Sequence, residues 1–141
     1  MDLDQALTVA SARNQGVLVT IRRDGRPQLS NIGYSMRTDG SARISVTEDR
    51  AKTKNLRRDP RAQLYVGGDS FWQYLVLDGV AQLSSTAAEP HDETVDELVD
   101  LYRTIRGEEH PDWDEYRAAM VEERRIVIRF RPTSAYGSWH T

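Results

Sequence analysis

The chain has 141 residues, a net charge of -3 and no cysteine. That length suits one domain, residues 1–141, with a sizeable core, and the missing cysteines exclude a disulfide framework, thiol catalysis and thiolate metal sites. No apolar run approaches the ~18 residues a membrane span needs. The acidic start M-D-L-D-Q-A-L lacks the basic and apolar regions of a secretory leader, so a cytoplasmic protein with no membrane partner is expected.

In chain order, residues 3–13 put Leu3, Ala6, Leu7 and Ala10 on one face of a short amphipathic helix. Gly16 opens a β-rich run that Asp24-Gly25 breaks; this pair tolerates positive φ and favours a tight hairpin. The return run, Arg26 to Arg37, has Pro27 near its start, which suits an edge strand or a strand beginning. Thr38-Asp39-Gly40 is a second turn, and 42–47 alternates as a third strand. Asp49 is placed to cap a helix over 50–58, which Asp59-Pro60 stops. A strand follows at 62–66, then a long strand or strand pair at 71–83. Residues 92–106 carry Val95, Leu98, Val99, Tyr102 and Ile105 at helical spacing, and Gly107 ends that helix. A short helix to about Glu122, a strand at 125–130 and a C-terminal tail complete the chain. Six or so strands joined by hairpins, with helices inserted late, predict a mainly β protein: a six-stranded antiparallel barrel with added helices.

Charge is unevenly distributed. Residues 22–62 hold eleven Arg/Lys against five Asp/Glu, while 84–123 hold three Arg against thirteen Asp/Glu. Arg50, Lys52, Lys54, Arg57, Arg58 and Arg61 crowd into thirteen residues, and both lysines of the chain are among them. Arg50, Lys52 and Thr53 follow a strand end and open a helix. Free N–H groups and the positive dipole end make such a start a phosphate site, with Arg offering a fork and Lys a point charge. A basic surface helix is the plainer reading. The footprint is short and the net charge negative, which argues against nucleic acid.

Two further features could line a flat polar ligand. On a strand, Gln28, Ser30 and Ile32 point one way, with Leu29 and Asn31 opposite; a water-facing edge strand explains these residues equally. Phe71, Trp72, Tyr74, Tyr136 and Trp139 suit packing, an interface or the wall of a planar ring. No nucleophile–base motif, helical metal-ligand spacing, Walker loop or dinucleotide fingerprint is present. His91, His110 and His140 are expected at the surface, and the carboxylates of 84–123 on solvated helix faces.

The runs G-V-L-V-T-I-R-R-D-G-R-P-Q-L-S-N-I and R-I-S-V-T-E-D-R-A-K-T-K-N-L-R-R-D-P-R-A-Q-L-Y-V resemble the split-barrel flavin and deazaflavin oxidoreductases, the pyridoxine 5'-phosphate oxidase-like superfamily. The nearer likeness is to its actinobacterial branch that uses coenzyme F420. W-x-Y-x-x-x-x-G-x-A-Q-L, L-Y-R-x-I, H-x-D-W-D-E-Y-R-x-A-M and the closing Y-G are similar to that branch, so the likeness covers about residues 5–137. It implies a homodimer of six-stranded split barrels with cofactor sites at the interface. Arg50, Lys52 and Thr53 would hold the cofactor phosphate. Gln28, Ser30 and Asn31 would lie along the ring, with Ser45 and Val46 beneath it through their backbone. Trp72, Tyr74 and Tyr136 would come from the partner. The implied reaction is hydride transfer from the reduced deazaflavin to an unsaturated small molecule. FMN in its place, or a non-catalytic cofactor carrier, is the alternative, and haem- or biliverdin-reducing members also occur in the broad family. No catalytic side chain is assigned.

Overall fold

The computed structural model describes residues 1–139. Its elements are α1 (Leu3–Ser11), β1 (Gln15–Ile21), β2 (Pro27–Gly33), β3 (Ser35–Met36), β4 (Ala42–Thr47), α2 (Ala51–Arg58), β5 (Arg61–Gly67), β6 (Tyr74–Leu83), α3 (Glu93–Arg106), α4 (Trp113–Glu122) and β7 (Arg125–Ser138). One sheet runs β2-β1-β5-β6-β7-β4-β3, and every pair is antiparallel. β2 and β3 lie at opposite ends of that order, yet only Tyr34 separates them along the chain. One residue spans ~3.8 Å, so the sheet must curl until its edges come together. The result is a half-barrel with four helices.

Alternation fills the inside. Leu18, Ile44, Leu64, Val66, Leu75, Leu77, Ile126, Ile128 and Phe130 are fully buried. Each such side chain contributes roughly 1.5–3 kcal/mol relative to exposure. α1 seals one opening: Ala6 and Ala10 are small enough to press flat on the core. The hydroxyl of buried Tyr34 donates to the Ala10 carbonyl at 2.8 Å. α2 enters through buried Leu56, and Asn55 Nδ2 donates to buried Thr20 Oγ1 at 3.1 Å. A second apolar cluster joins α3 and α4 to β7 through Val95, Leu98, Val99, Met120 and Val127. Asp92 caps α3 by accepting the Val95 N–H at 2.8 Å, and Gly107 ends it at φ 68°.

Four expectations need correction. The sheet has seven strands, because the Arg26–Arg37 run breaks at Tyr34 and its end forms the two-residue β3. Residues 71–73 form the β5–β6 turn and β6 starts at Tyr74. Most of the predicted tail is strand: β7 continues to Ser138, because the ten residues of β6 need a partner along their whole length. Pro132, which cannot donate to the ladder, sits opposite Gly79 at a register shift. A Cβ on Gly79 would lie 2.2 Å from the Arg131 carbonyl oxygen, so the close approach there requires glycine. Asp49 does not cap α2. Its carboxylate takes the Thr47 hydroxyl at 2.9 Å, and Arg50 occupies the cap position without a capping side chain.

Candidate functional site

The β4–α2 corner gathers cations at an unsealed helix start. The first bond across this turn runs from Lys54 N–H to the Arg50 carbonyl. The N–H groups of Ala51, Lys52 and Thr53 therefore have no partner within the helix. Arg50 is exposed and Lys52 half-buried. Among the described residues no carboxylate forms an ion pair with either. Burial, with the charges of Arg50 and Arg125, pulls the Lys52 ammonium below the usual lysine range. Like charges held together at a helix start form a site suited to an anion.

Arg125 is the member that sequence reading missed. It opens β7 opposite Thr47, pairs with Glu123 at 2.9 Å, and reaches to 3.5 Å from Ser45 Oγ. It stands far from 50–62 in the chain and has the look of an ordinary strand residue, so no local signal marks it.

The Thr53 side chain turns inward. It is fully buried, and its hydroxyl donates to the Thr47 carbonyl at 2.8 Å, tying α2 to the end of β4. Only its backbone N–H belongs to the helix start.

The strand beside the corner has an open edge. Glu48 N–H bonds the Arg124 carbonyl, so Ala42, Ile44 and Val46 turn their backbone to β7, and Arg43, Ser45 and Thr47 turn away. β3 covers only Ala42 and Arg43. The Thr47 carbonyl is taken by Arg50 N–H and the Thr53 hydroxyl. Ser45 is thus the residue whose backbone N–H and C=O face the uncovered edge. Val46, expected to share that role, has its side chain in the core and its backbone toward β7.

β2 keeps the expected alternation. Gln28 and Ser30 are half-buried toward the inside, and Asn31 is exposed on the outer face. Asn31 lines an outer cavity of about 510 Å³ with Gln15, Gly16, Val17, Tyr65 and Gly67. One flat ligand could meet Gln28 and Ser30 from the same side, but it would not meet the Asn31 side chain there.

The three aromatic candidates lie away from the corner. Trp72 is 77% exposed at the β5–β6 turn and packs edge-on to Phe71 at 4.9 Å. Tyr74 stacks on Tyr65 at 6.0 Å, and Tyr136 is 49% exposed on the same outer face. Tyr136 and Arg125 are eleven residues apart on β7, on the order of 30 Å along a strand. One chain does not bring these aromatics to Lys52.

The acidic segment is more structural than expected. Glu97 is only 15% exposed and takes Arg129 through both carboxylate oxygens and Arg43 at 3.1 Å. His110 is half-buried and takes part in packing. It accepts the Asp112 N–H at 2.9 Å and packs with Tyr102, Trp113 and Tyr116 at ring separations of 5.2, 5.6 and 5.3 Å. His91 is exposed, and His140 lies outside the described residues. No helix among the described residues is long and apolar enough to cross a membrane.

Three of the solved structures that share the fold illustrate the likeness. A conserved hypothetical protein from Mycobacterium tuberculosis aligns with TM-score 0.72 at 21% identity, covering 96% of this chain and 82% of that one. A protein described as an F420 reductase gives 0.65 at 23%, covering 91% and 94%. The haem storage protein of Vibrio cholerae gives 0.66 at 14%, covering 97% and 95%. At such identities the likeness speaks for the fold alone. The sequence model described as pyridoxamine 5'-phosphate oxidase matches residues 3–138. With that match spanning nearly the whole chain on a curled antiparallel sheet shared by these structures, the protein belongs to the pyridoxamine 5'-phosphate oxidase family.

Proposed function

We propose that this protein is a deazaflavin-dependent reductase that binds coenzyme F420 and acts, in the cytoplasm, on an unsaturated small molecule. The observation that carries the reading is the crowding of Lys52 with Arg50 and Arg125 at a helix start that has no capping side chain. Such a corner fits a phosphate. Arg50 and Arg125 offer guanidinium donors, Lys52 a point charge, and the N–H groups of Ala51, Lys52 and Thr53 point outward along the helix axis. When bound, the deazaflavin supplies the hydride that the substrate accepts.

The chain's own part is position and electrostatics. Ser45 presents backbone donor and acceptor groups along an open edge, suited to the polar rim of a flat ring. Gln28 and Ser30 offer an amide and a hydroxyl from β2. Thr53 fixes the corner by locking α2 onto Thr47. The remaining wall needs a second copy: Trp72, Tyr74 and Tyr136 are aromatic, lie at the outer face and sit far from their own Lys52. A homodimer that applies this face to the partner's corner completes both sites. The exposed Leu29, Tyr65, Val80 and Tyr136 give that face the apolar surface an interface needs. Neither nucleic acid nor a membrane is a partner in this reading.

The test is a titration of the purified protein, followed by tryptophan fluorescence, with the oxidised deazaflavin and FMN in parallel. Tight deazaflavin binding with much weaker FMN binding is expected. Preference for FMN would move the protein to flavin chemistry, and binding of neither would remove the cofactor reading altogether.

A further inference from the structure

The outer face carries a polar patch at Asp78. Asp78 stands on β6 beside the Gly79 register shift, in a cleft of about 490 Å³ walled by Val19, Ile21 and Val80. A bulge of this kind re-aims the side chain next to it. The Asp78 carboxylate accepts from Gln63 Nε2 at 2.5 Å and from the Ser134 hydroxyl at 3.3 Å. No cation pairs with it among the described residues. A half-buried carboxylate on an apolar wall, satisfied only by neutral donors, is a costly group to cover unless its cover brings a cation.

The same cleft holds that cation. Arg61 is opposite Val80 in the β5–β6 ladder, and its neighbour Gln63 is opposite Asp78. Arg61 and Asp78 are thus diagonal neighbours on one face. Asp59 clamps Arg61 through Nε at 3.1 Å and a second nitrogen at 2.8 Å. That clamp holds the guanidinium in one orientation and leaves its third nitrogen, with two further donors, facing away. The Arg61 side chain stays 71% exposed.

A face with both charges in one cleft is complementary to itself under a two-fold rotation. We infer that the second copy of this chain seats here with the axis passing between Arg61 and Asp78, so that each Arg61 meets the partner's Asp78. This rests on the two-copy reading above and adds the register of the interface. The apolar walls supply area, and the paired charges fix the one rotation at which no carboxylate is buried without a cation. The clamp on Asp59 lowers the ordering cost of the exposed arginine.

The experiment is a double charge swap on the full chain, with dimer dissociation followed by analytical ultracentrifugation. Arg61→Asp and Asp78→Arg should each weaken the dimer by about 10-fold or more, the lower end for close charge pairs. The double variant should recover most of that loss. Arg61→Gln and Asp78→Asn form a milder cycle for the case where Asp78→Arg does not fold, because Asn keeps the shape and an acceptor for Gln63. There the double variant should weaken the dimer by less than the two single effects combined. Losses that combine additively in a protein that remains dimeric would overturn the Arg61–Asp78 pairing and leave the two-copy reading standing. A wild type that stays monomeric at all concentrations would overturn both.

Discussion

The two charged regions of the chain handle charge in opposite ways. In the α3–α4 cap many of the charges are paired within the chain or cap a helix. Arg43 and Arg129 close on Glu97, Arg117 on Asp96, and Arg37 on Asp100. Asp92 and Asp112 cap the two helices. Burial pushes the Glu97 carboxyl up, but the hydrogen bonds and charge of Arg129, with the charge of Arg43, win and hold it below the usual carboxylate range. At the β4–α2 corner Lys52 meets Arg50 and Arg125, and of these three Arg125 alone pairs with a carboxylate, Glu123, among the described residues. Burial and the neighbouring Arg50 and Arg125 depress Lys52, and no side chain seals the helix. One arrangement spends its charge on the fold. The other leaves Arg50 and Lys52 without a carboxylate partner among the described residues. The excess of acid in one segment and base in the other does not distinguish these uses; pairing does.

Substitutions should separate the two regions by which property they change. Glu97→Ala leaves Arg43, 16% exposed, without its partner. Arg129 is 40% exposed, so water screens part of the loss, and about 2 kcal/mol of stability should disappear in urea unfolding. Deazaflavin affinity should not move. Lys52→Ala should do the reverse. Binding should weaken by roughly 1–3 kcal/mol, while stability holds or rises as repulsion is relieved. Equal loss of stability in both variants would erase the distinction. A smaller effect belongs to Tyr116→Phe, which removes the 3.0 Å bond to the Leu98 carbonyl between α4 and α3. About 1 kcal/mol of stability is expected to go, again without loss of binding.

The smallest effect is in the pH dependence, where stability rises with pH in both regions but in separate windows, acidic for Glu97 and alkaline for Lys52. Glu97 is depressed, so its contribution is present above the ordinary glutamate value and is lost as pH falls through its lowered one. Lys52 is depressed too, so here as well the folded state binds fewer protons than the unfolded chain. Stability should therefore rise with pH between the lowered Lys52 value and the ordinary lysine value near ~10.4. Melting curves across that alkaline window should rise in the wild type and lie flatter in Lys52→Ala. A slope unchanged by the substitution would mean that Lys52 is not crowded.

Much of the fold was legible because it depends on local pattern. Strict alternation over 42–47 marked β4, Asp24-Gly25 marked a hairpin whose glycine sits at φ 86°, and Gly107 closed α3 where helical spacing ended. The cationic corner was legible for the same reason: Arg50 and Lys52 follow a strand end directly, so strand, turn and helix start lie in one continuous stretch. Tertiary structure alone brought Arg125 across from β7 to Ser45, and it alone sent the Thr53 hydroxyl inward to Thr47. It also paired the C-terminal segment with β6, since the need of one strand for a partner is not written in the other's composition. Glu97 looked like one more solvated acid until two strands delivered Arg43 and Arg129 beneath it. Sequence by itself determined most of the helices and strands and the place where cations collect, because those follow from spacing of side chains along one backbone. Which charges are neutralised, which strand edge stays open and which apolar side chains stay exposed depend on contacts between distant segments, and only the folded chain decides them.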